Sequence, residues 1–546
     1  MFASFLAGII LFFLFLYQPA QPILIYFFFV LNLIIYLWCW RKDFVFKIKK
    51  SDFIIAVLLF AIALCLRLIK LAQLPFGFWL DEPDYALTAL ALLQKPIVPF
   101  TMQAIDGQMT PLLYLIGISI KLLGHTIIAV RLPTAIIAAL NIPFFYFVMR
   151  LWVKPIVAFL AGLLLTFSYW HIVFSRIPFQ VPLLILMEIL TIGCLSLAFR
   201  ENKRGYWVLV GICLGLSLYT YTPARWFVLL ITIGLLAINV VPGLFRHHQW
   251  HKYVFFMLAF FLAASPLFAY SLRYPDQLFF RLNKLSLTKA QEQGSSLAAE
   301  LFINSYKNIG LFWLFPDPNG RHNPAQTPAL DPLTGILFVT SIGYIIVKGQ
   351  SLHRSIIFFA FVMLAPAIFS FEGVGGENQP HFLRASGAIP FVYFSIGLFL
   401  NYLQTQTNFI KRYSFFSLAG IASVCLLNIH NYFAIPLSSK LYYEMNVREK
   451  TVGQLVAQTK SKTIVLSPYF ARVPQVAFLK ADKKVEIFEP SKLFNYLNNQ
   501  SILLVLDINN DYLEIIKKMS KDYPEKSRLL TTPWNTIEAY TYERVY

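Results

Sequence analysis

About thirteen apolar runs, each near the length of a membrane-crossing helix, constrain this chain more than any single motif. A span needs about 20 apolar residues, somewhat fewer where the bilayer is thin. The runs fall near 3–17, 22–40, 53–71, 127–149, 156–173, 182–199, 206–221, 226–244, 253–270, 332–347, 355–371, 387–403 and 414–433. Hydrophobic residues make up 58% of the chain and charged residues 13%, against roughly a quarter charged in soluble domains. The expected class is therefore an α-helical polytopic membrane protein.

Basic clusters set the expected orientation. Arg41 to Lys50, Arg150 with Lys154, Arg200 to Arg204, Arg246 to Lys252, Lys348 to Arg354, and Lys411 with Arg412 all fall on one side of the alternating runs. That side is cytoplasmic by the positive-inside rule. The net charge of +19 is thereby assigned to helix orientation and anionic lipid, with no nucleic-acid motif to suggest otherwise. The five cysteines all sit in apolar runs and read as small core residues. The apolar N-terminus lacks a basic n-region and a small-residue cleavage site, so it reads as a retained span.

The expected organisation has three parts. Residues 1–50 add two N-terminal spans, 51–435 form the transmembrane core, and 436–546 form a soluble α/β domain. Charge rises in the last part, and β-rich runs at 463–466 and 502–506 alternate with helical stretches. The loops 72–126 and 271–331, the turn 372–386 and the C-terminal domain fall on the outer, extracytoplasmic side. The apolar run 111–124 is short and holds Lys121, which suits a re-entrant or interfacial helix.

Polar side chains on that outer side share a theme. Asp81-Glu82-Pro83-Asp84-Tyr85 places three carboxylates at the mouth of a span, where they are costly to hold near lipid. Either one of them is a general base or they cap a juxtamembrane helix. Arg131, Arg176, Arg225 and Arg384 stand in outer turns, where the positive-inside rule disfavours arginine. A guanidinium there suits a phosphate, which it grips bidentately, or a lipid headgroup. Glu188 lies deep in a span, where a carboxylate costs roughly 2.5–3.5 kcal/mol. It lines a lipid-phosphate cavity or bonds a neighbouring helix.

Taken in order, these residues resemble the GT-C glycosyltransferase superfamily, in the branch of protein O-mannosyltransferases and bacterial aminoarabinose transferases (family 39/83-like). The residues that carry the resemblance are Phe78-Trp79-Leu80-Asp81-Glu82 with Tyr85 and Ala86, then Pro111-Leu112-Leu113-Tyr114 and Leu123-Gly124. Ala129-Val130-Arg131-Leu132-Pro133, Trp170-His171, Ser175-Arg176, Tyr219-Thr220-Tyr221 and Ala224-Arg225 follow. The resemblance spans about 50–435. It implies that Asp81 is the catalytic base, that Glu82 positions the acceptor, and that the donor is a sugar on a polyprenyl phosphate. It also implies inversion at the anomeric carbon, with outer arginines at the donor phosphate; His381, beside Arg384 at the entry to the next span, is a further candidate there. The acceptor would be a protein, a lipid or a glycan.

One position departs from the branch. Many relatives carry His or an acidic residue just before the Pro of the second motif, where this chain has Gln108-Met109-Thr110-Pro111. A divalent metal through that position is correspondingly weakened. Asp84, Asp106 and Glu188 are the candidates for a second carboxylate, although Asp106-Gly107 also reads as a simple turn. The glycine-rich turn 372–384 suits a mobile loop closing over the donor headgroup, and His322 in the long outer segment offers the same. Two other function classes fit the spans: a transporter or flippase of lipid-linked sugars, and an inactive GT-C-like scaffold subunit. Transporters usually show repeat symmetry, and none is visible here.

Overall fold

The computed structural model describes residues 2–17, 22–44, 48–95, 97–105, 107–240, 250–284, 286–371, 373–408, 412–499, 501–508 and 511–545. Candidate Asp106 lies outside them, as do Lys47, Arg246, Lys411 and Glu372. The chain folds as two compact units. The first comprises Met1–Leu71, Ala91–Leu115 and Arg131–Pro436; the second comprises Ala72–Leu90, Ile116–Val130 and Leu437–Tyr546.

The first unit is almost entirely helical. Among the described residues, six helices are long and apolar enough to cross a membrane. They are Lys50–Leu68, Ile127–Met149, Val181–Glu201, Lys252–Arg273, Ser386–Thr407 and Phe415–Phe433. Shorter apolar helices of 10–17 residues accompany them, including Pro111–Leu123 and Arg204–Ser217. The run 156–173, expected as one span, is broken. Pro155–Phe167 and Tyr169–Ser175 meet at an angle of 57°. Ser168 stands at the break and accepts the His171 N–H through its side chain. That local bond starts a new helix where the old one would have continued.

Close helix packing follows from small residues. Gly211 and Gly215, four apart on Arg204–Ser217, face Phe256, Ala259, Phe260 and Ala263. A Cβ on either glycine would collide with the Phe256 or Phe260 carbonyl oxygen. Backbones approach this closely in membrane helices where small residues recur at four-residue spacing. On the basic side, buried Asp52 accepts the Tyr146 hydroxyl at 2.6 Å and Arg150 Nε at 2.9 Å. Two short strands, β1 (Phe100–Thr101) and β2 (Gln108–Met109), pair antiparallel ahead of Pro111.

The second unit carries a five-stranded mixed sheet. Its strands are β3 (Thr463–Leu466), β4 (Glu486–Ile487), β5 (Ile502–Asp507), β6 (Ser527–Thr531) and β7 (Ile537–Arg544), in the order β4-β3-β5-β7-β6. β3 pairs parallel with β4 and β5, while β7 pairs antiparallel with β5 and β6. The unbroken apolar run Ile502–Leu506 forms the central strand, buried on both faces. Leu504, Leu506, Tyr540 and Tyr542 pack with Ile516 and Met519 of the helix Leu513–Asp522. The other face puts Leu503, Val505 and Ala539 against Val452 and Val456 of Val447–Gln458.

Candidate functional site

The acidic motif belongs to the second unit. Asp81 is the first residue of the helix Asp81–Leu92, and Asp81, Glu82 and Asp84 all fall in its first turn. Carboxylates there are stabilised by the helix dipole. Their surroundings differ. Glu82 is fully buried, and its Oε1 accepts the Trp79 N–H at 3.1 Å, a capping bond. Asp81 and Asp84 are half-buried. Glu82 thus bonds back to the chain just ahead of the helix, while the Asp81 side chain is the less buried of the two.

The arginines belong to the first unit and fall into two groups. Arg131 and Arg176 are fully buried. Arg131 Nη1 donates to the Leu71 carbonyl at 3.0 Å. Arg176 donates to the carbonyls of Leu66 (2.7 Å), Arg67 (2.8 Å) and Ile69, with the Tyr432 hydroxyl as a fourth partner. These carbonyls lie at and just beyond the C-terminus of Lys50–Leu68, where the last helical oxygens lack internal partners. Sequence reading missed a third member. Arg67 is buried and donates to the carbonyls of Ala63 and Thr166, with Nη2 2.8 Å from His171 Nδ1. Asn141 Nδ2 lies 3.2 Å from the other nitrogen of that ring. The available signal was a cation inside the apolar stretch Leu66-Arg67-Leu68.

Arg225 and Arg384 are half-buried and line one cavity of about 560 Å³. Its walls are mostly apolar, with Trp226, Phe369 and Leu301 among them, and hydroxyls come from Thr222, Ser286 and Ser370. Trp226 and Phe369 stack at 5.6 Å with their rings 9° from parallel. Glu188 is absent from this lining. It is fully buried in Val181–Glu201, neither carboxyl oxygen has a hydrogen-bond partner among the described residues, and a Cβ on Gly387 would approach its Oε1 to 2.9 Å.

The segment before Arg384 is anchored, where a mobile loop was expected. Glu300 accepts the N–H groups of Gly375 (2.6 Å) and Gly376 (3.1 Å), and Lys307 Nζ donates to the Gly376 carbonyl at 2.6 Å. Burial alone would raise the Glu300 pKa. The hydrogen bonds from Gly375, Ser295 and Gly376, with the charge of Lys307, outweigh it and hold the carboxyl below the ordinary glutamate range. Asn308 bonds the Gln379 side chain at 2.8 Å and accepts the His381 N–H at 3.2 Å.

At the end of this segment, Asp317, His322 and His381 come together, all buried, with potential ligand atoms within 4.8 Å of one another. Asp317 Oδ2 lies 3.5 Å from His322 Nδ1, and the two imidazole centroids are 4.8 Å apart. Among the described residues, neither ring nitrogen of His322 has a hydrogen-bond partner, since the 3.5 Å approach is too long to serve as one. A buried imidazole with both nitrogens unsatisfied, beside a carboxylate and a second imidazole, fits a divalent cation. Burial, then the charges of Arg384 and neighbouring groups, push the His381 pKa well below the usual histidine value and keep its ring neutral, the ligating form. Sequence reading passed over Asp317, whose setting Pro316-Asp317-Pro318-Asn319 is that of a turn.

Comparison with known proteins adds the following. A family model described as dolichyl-phosphate-mannose-protein mannosyltransferase matches residues 110–270. No curated protein matches the chain. ArnT from Cupriavidus metallidurans bound to undecaprenyl phosphate is similar in structure, with a TM-score of 0.53 and 13% identity, over 90% of this chain and 98% of that one. Its apo state gives a TM-score of 0.52 and 12% identity, over 89% and 97% respectively. At such identity the likeness is one of fold. The family match and the shared fold bear out the resemblance to the GT-C superfamily in the branch read from the sequence.

Proposed function

We propose that this chain is an integral-membrane glycosyltransferase that moves a sugar from a polyprenyl-phosphate donor to an acceptor on the outer face. The observation that carries the reading is the apolar cavity with Arg225 and Arg384 in its wall. Apolar lining suits a polyprenyl chain, and paired guanidinium groups suit its phosphate. The family match over 110–270 supports the same donor class.

Asp81 is the proposed general base. The acceptor hydroxyl or amine attacks the anomeric carbon on the face opposite the phosphate, and Asp81 takes its proton. The bond from that carbon to the phosphate oxygen breaks, its electron pair leaves with the polyprenyl phosphate, and the configuration inverts. Arg225 and Arg384 stabilise the charge that grows on the departing phosphate. Glu82 holds the start of the Asp81 helix through Trp79. Arg131 and Arg176, expected beside the phosphate, act in this reading by fixing the chain at 66–71. Asp317, His322 and His381 would hold a divalent cation, which supplies further charge stabilisation when bound. The six basic clusters support an extracytoplasmic catalytic face in the cell membrane, with residues 437–546 outside.

Binding of undecaprenyl phosphate to the purified chain tests the proposal. Alanine at Arg225 or Arg384 is expected to weaken it about tenfold or more, since charge-assisted hydrogen bonds contribute about 1.5–3 kcal/mol. Unchanged affinity in the double variant would remove the phosphate from this cavity. The broken helix at Ser168 favours a second reading, a flippase of lipid-linked sugars. A flippase leaves the sugar–phosphate bond intact, so release of undecaprenyl phosphate from a sugar-loaded donor separates the two.

A further inference from the structure

Residues 72–80, leading into Asp81, form no helix beyond turns, so their main-chain polar groups need partners outside regular structure. Beyond the local Glu82–Trp79 bonds, four of these groups are taken by one segment. The ammonium of buried Lys450 donates to the carbonyls of Ala72 (3.1 Å) and Phe76 (2.6 Å). Buried Gln475 donates to the Phe78 carbonyl at 3.0 Å. Asn446 Oδ1 accepts the N–H of Leu80, the residue before Asp81, at 3.0 Å. The backbones also touch: a Cβ on Gly77 would collide with the Met445 carbonyl. Phe78, fully buried, packs its ring 5.8 Å from that of Phe478, which also stacks on His125 at 5.1 Å.

We infer that Asn446, Lys450 and Gln475 are positioning residues that set the place of the Asp81 carboxylate, which makes 437–546 part of the catalytic scaffold. The inference rests on the reading of Asp81 as the base. Its physical content is selectivity. Three side chains from the C-terminal segment take four main-chain groups within nine residues, and the last bond falls one residue before the carboxylate. A surface domain added for acceptor docking alone needs no such hold on this loop. Removing Lys450 leaves two carbonyls without their donor and lets residues 72–80 shift, and a displacement of about 1 Å costs on the order of 10²-fold in rate.

The test uses the full chain in detergent, with Lys450→Met, Gln475→Leu, Lys450→Arg and Asp81→Asn. Hydrogen–deuterium exchange across 72–80 is expected to run about tenfold faster in Lys450→Met, with Ile502–Leu506 unchanged and protection partly restored in Lys450→Arg. Turnover is read as release of undecaprenyl phosphate from undecaprenyl-phosphate mannose. In Lys450→Met, kcat is expected to fall about 10- to 10²-fold while KM for the donor stays within about twofold. Unchanged exchange at 72–80 in both Lys450→Met and Gln475→Leu overturns the inference, as does faster exchange with kcat retained. If Lys450→Met also loses protection at Ile502–Leu506, Gln475→Leu decides. If this sugar is not turned over, kcat is read with another undecaprenyl-phosphate sugar that is, and unchanged exchange in both variants overturns the inference in any case. Full turnover by Asp81→Asn defeats the base reading instead, a result that the exchange data do not produce.

Discussion

Asp317 Oδ2 accepts the main-chain N–H of Phe382 at 2.7 Å, which ties the carboxylate of the buried Asp–His–His cluster to the backbone between His381 and Arg384. The Phe382 carbonyl in turn accepts Trp170 Nε1 at 3.2 Å. The cluster and one wall of the arginine-lined cavity therefore share the four-residue stretch His381-Phe382-Leu383-Arg384. Displacing that stretch moves a histidine of the cluster and an arginine of the cavity together.

Removing the general base has the largest expected effect. Asp81→Asn keeps the size and the helix-start position while losing proton affinity. Transfer is expected to fall about 10²- to 10⁴-fold, the range typical of general-base catalysis, with undecaprenyl phosphate binding unchanged. Transfer with the native donor at the wild-type rate would defeat the assignment.

Metal content tests the Asp–His–His cluster directly. Two imidazoles with one carboxylate suit zinc or manganese better than magnesium or calcium. The purified chain is expected to hold one such ion per molecule by elemental analysis. His322→Ala and His381→Ala should each lose it, independently of any activity. A metal-free wild type after dialysis against zinc would remove the site.

Glu300 provides a pH signature outside the membrane spans. Its folded pKa lies below the unfolded value of about 4.3, so its stabilisation is fully present above that value. It is lost as the pH falls through the depressed folded pKa. Glu300→Gln should therefore lower thermal stability near pH 7, by about 1–3 kcal/mol from its hydrogen bonds to Gly375, Gly376 and Ser295. The gap between variant and wild type should close in strong acid. A gap that stays constant from pH 7 to about pH 3 would show that Glu300 does not hold the segment through its charge.

Gly211 and Gly215 are expected to tolerate no side chain. Each would drive a Cβ into the backbone of the facing helix, and over-packing typically costs about 1–3 kcal/mol. Gly211→Leu should reduce thermal stability more than Gly234→Leu, where a Cβ meets none of the described residues within 4 Å. Equal losses at both sites would refute the close packing of Arg204–Ser217 on Lys252–Arg273.

Much was legible in the residues alone because the physics involved is local or periodic. Apolar runs near helix length indicated helices, since an unsatisfied backbone in lipid is prohibitively costly. The β-rich run Ile502–Leu506 indicated a strand, and it lies at the centre of the sheet. The ordered motifs around Asp81, Pro111 and Arg131 carried the resemblance that the family match and the fold bear out. Tertiary structure decided the rest. An isolated arginine in an outer turn reads the same whether it waits for a phosphate or caps a helix. Only the approach of the Leu66, Arg67, Ile69 and Leu71 carbonyls distinguishes Arg131 and Arg176 from Arg225 and Arg384. Asp317 and His381 stand 64 positions apart in the chain, and no local pattern signals that they meet. Likewise, composition marked 436–546 as separate, yet hydrogen bonds across more than 360 residues join Asn446 and Gln475 to the loop before Asp81. Propensity and hydropathy act along the chain and are written in it; hydrogen-bond complementarity between distant segments exists only once folding has brought them together.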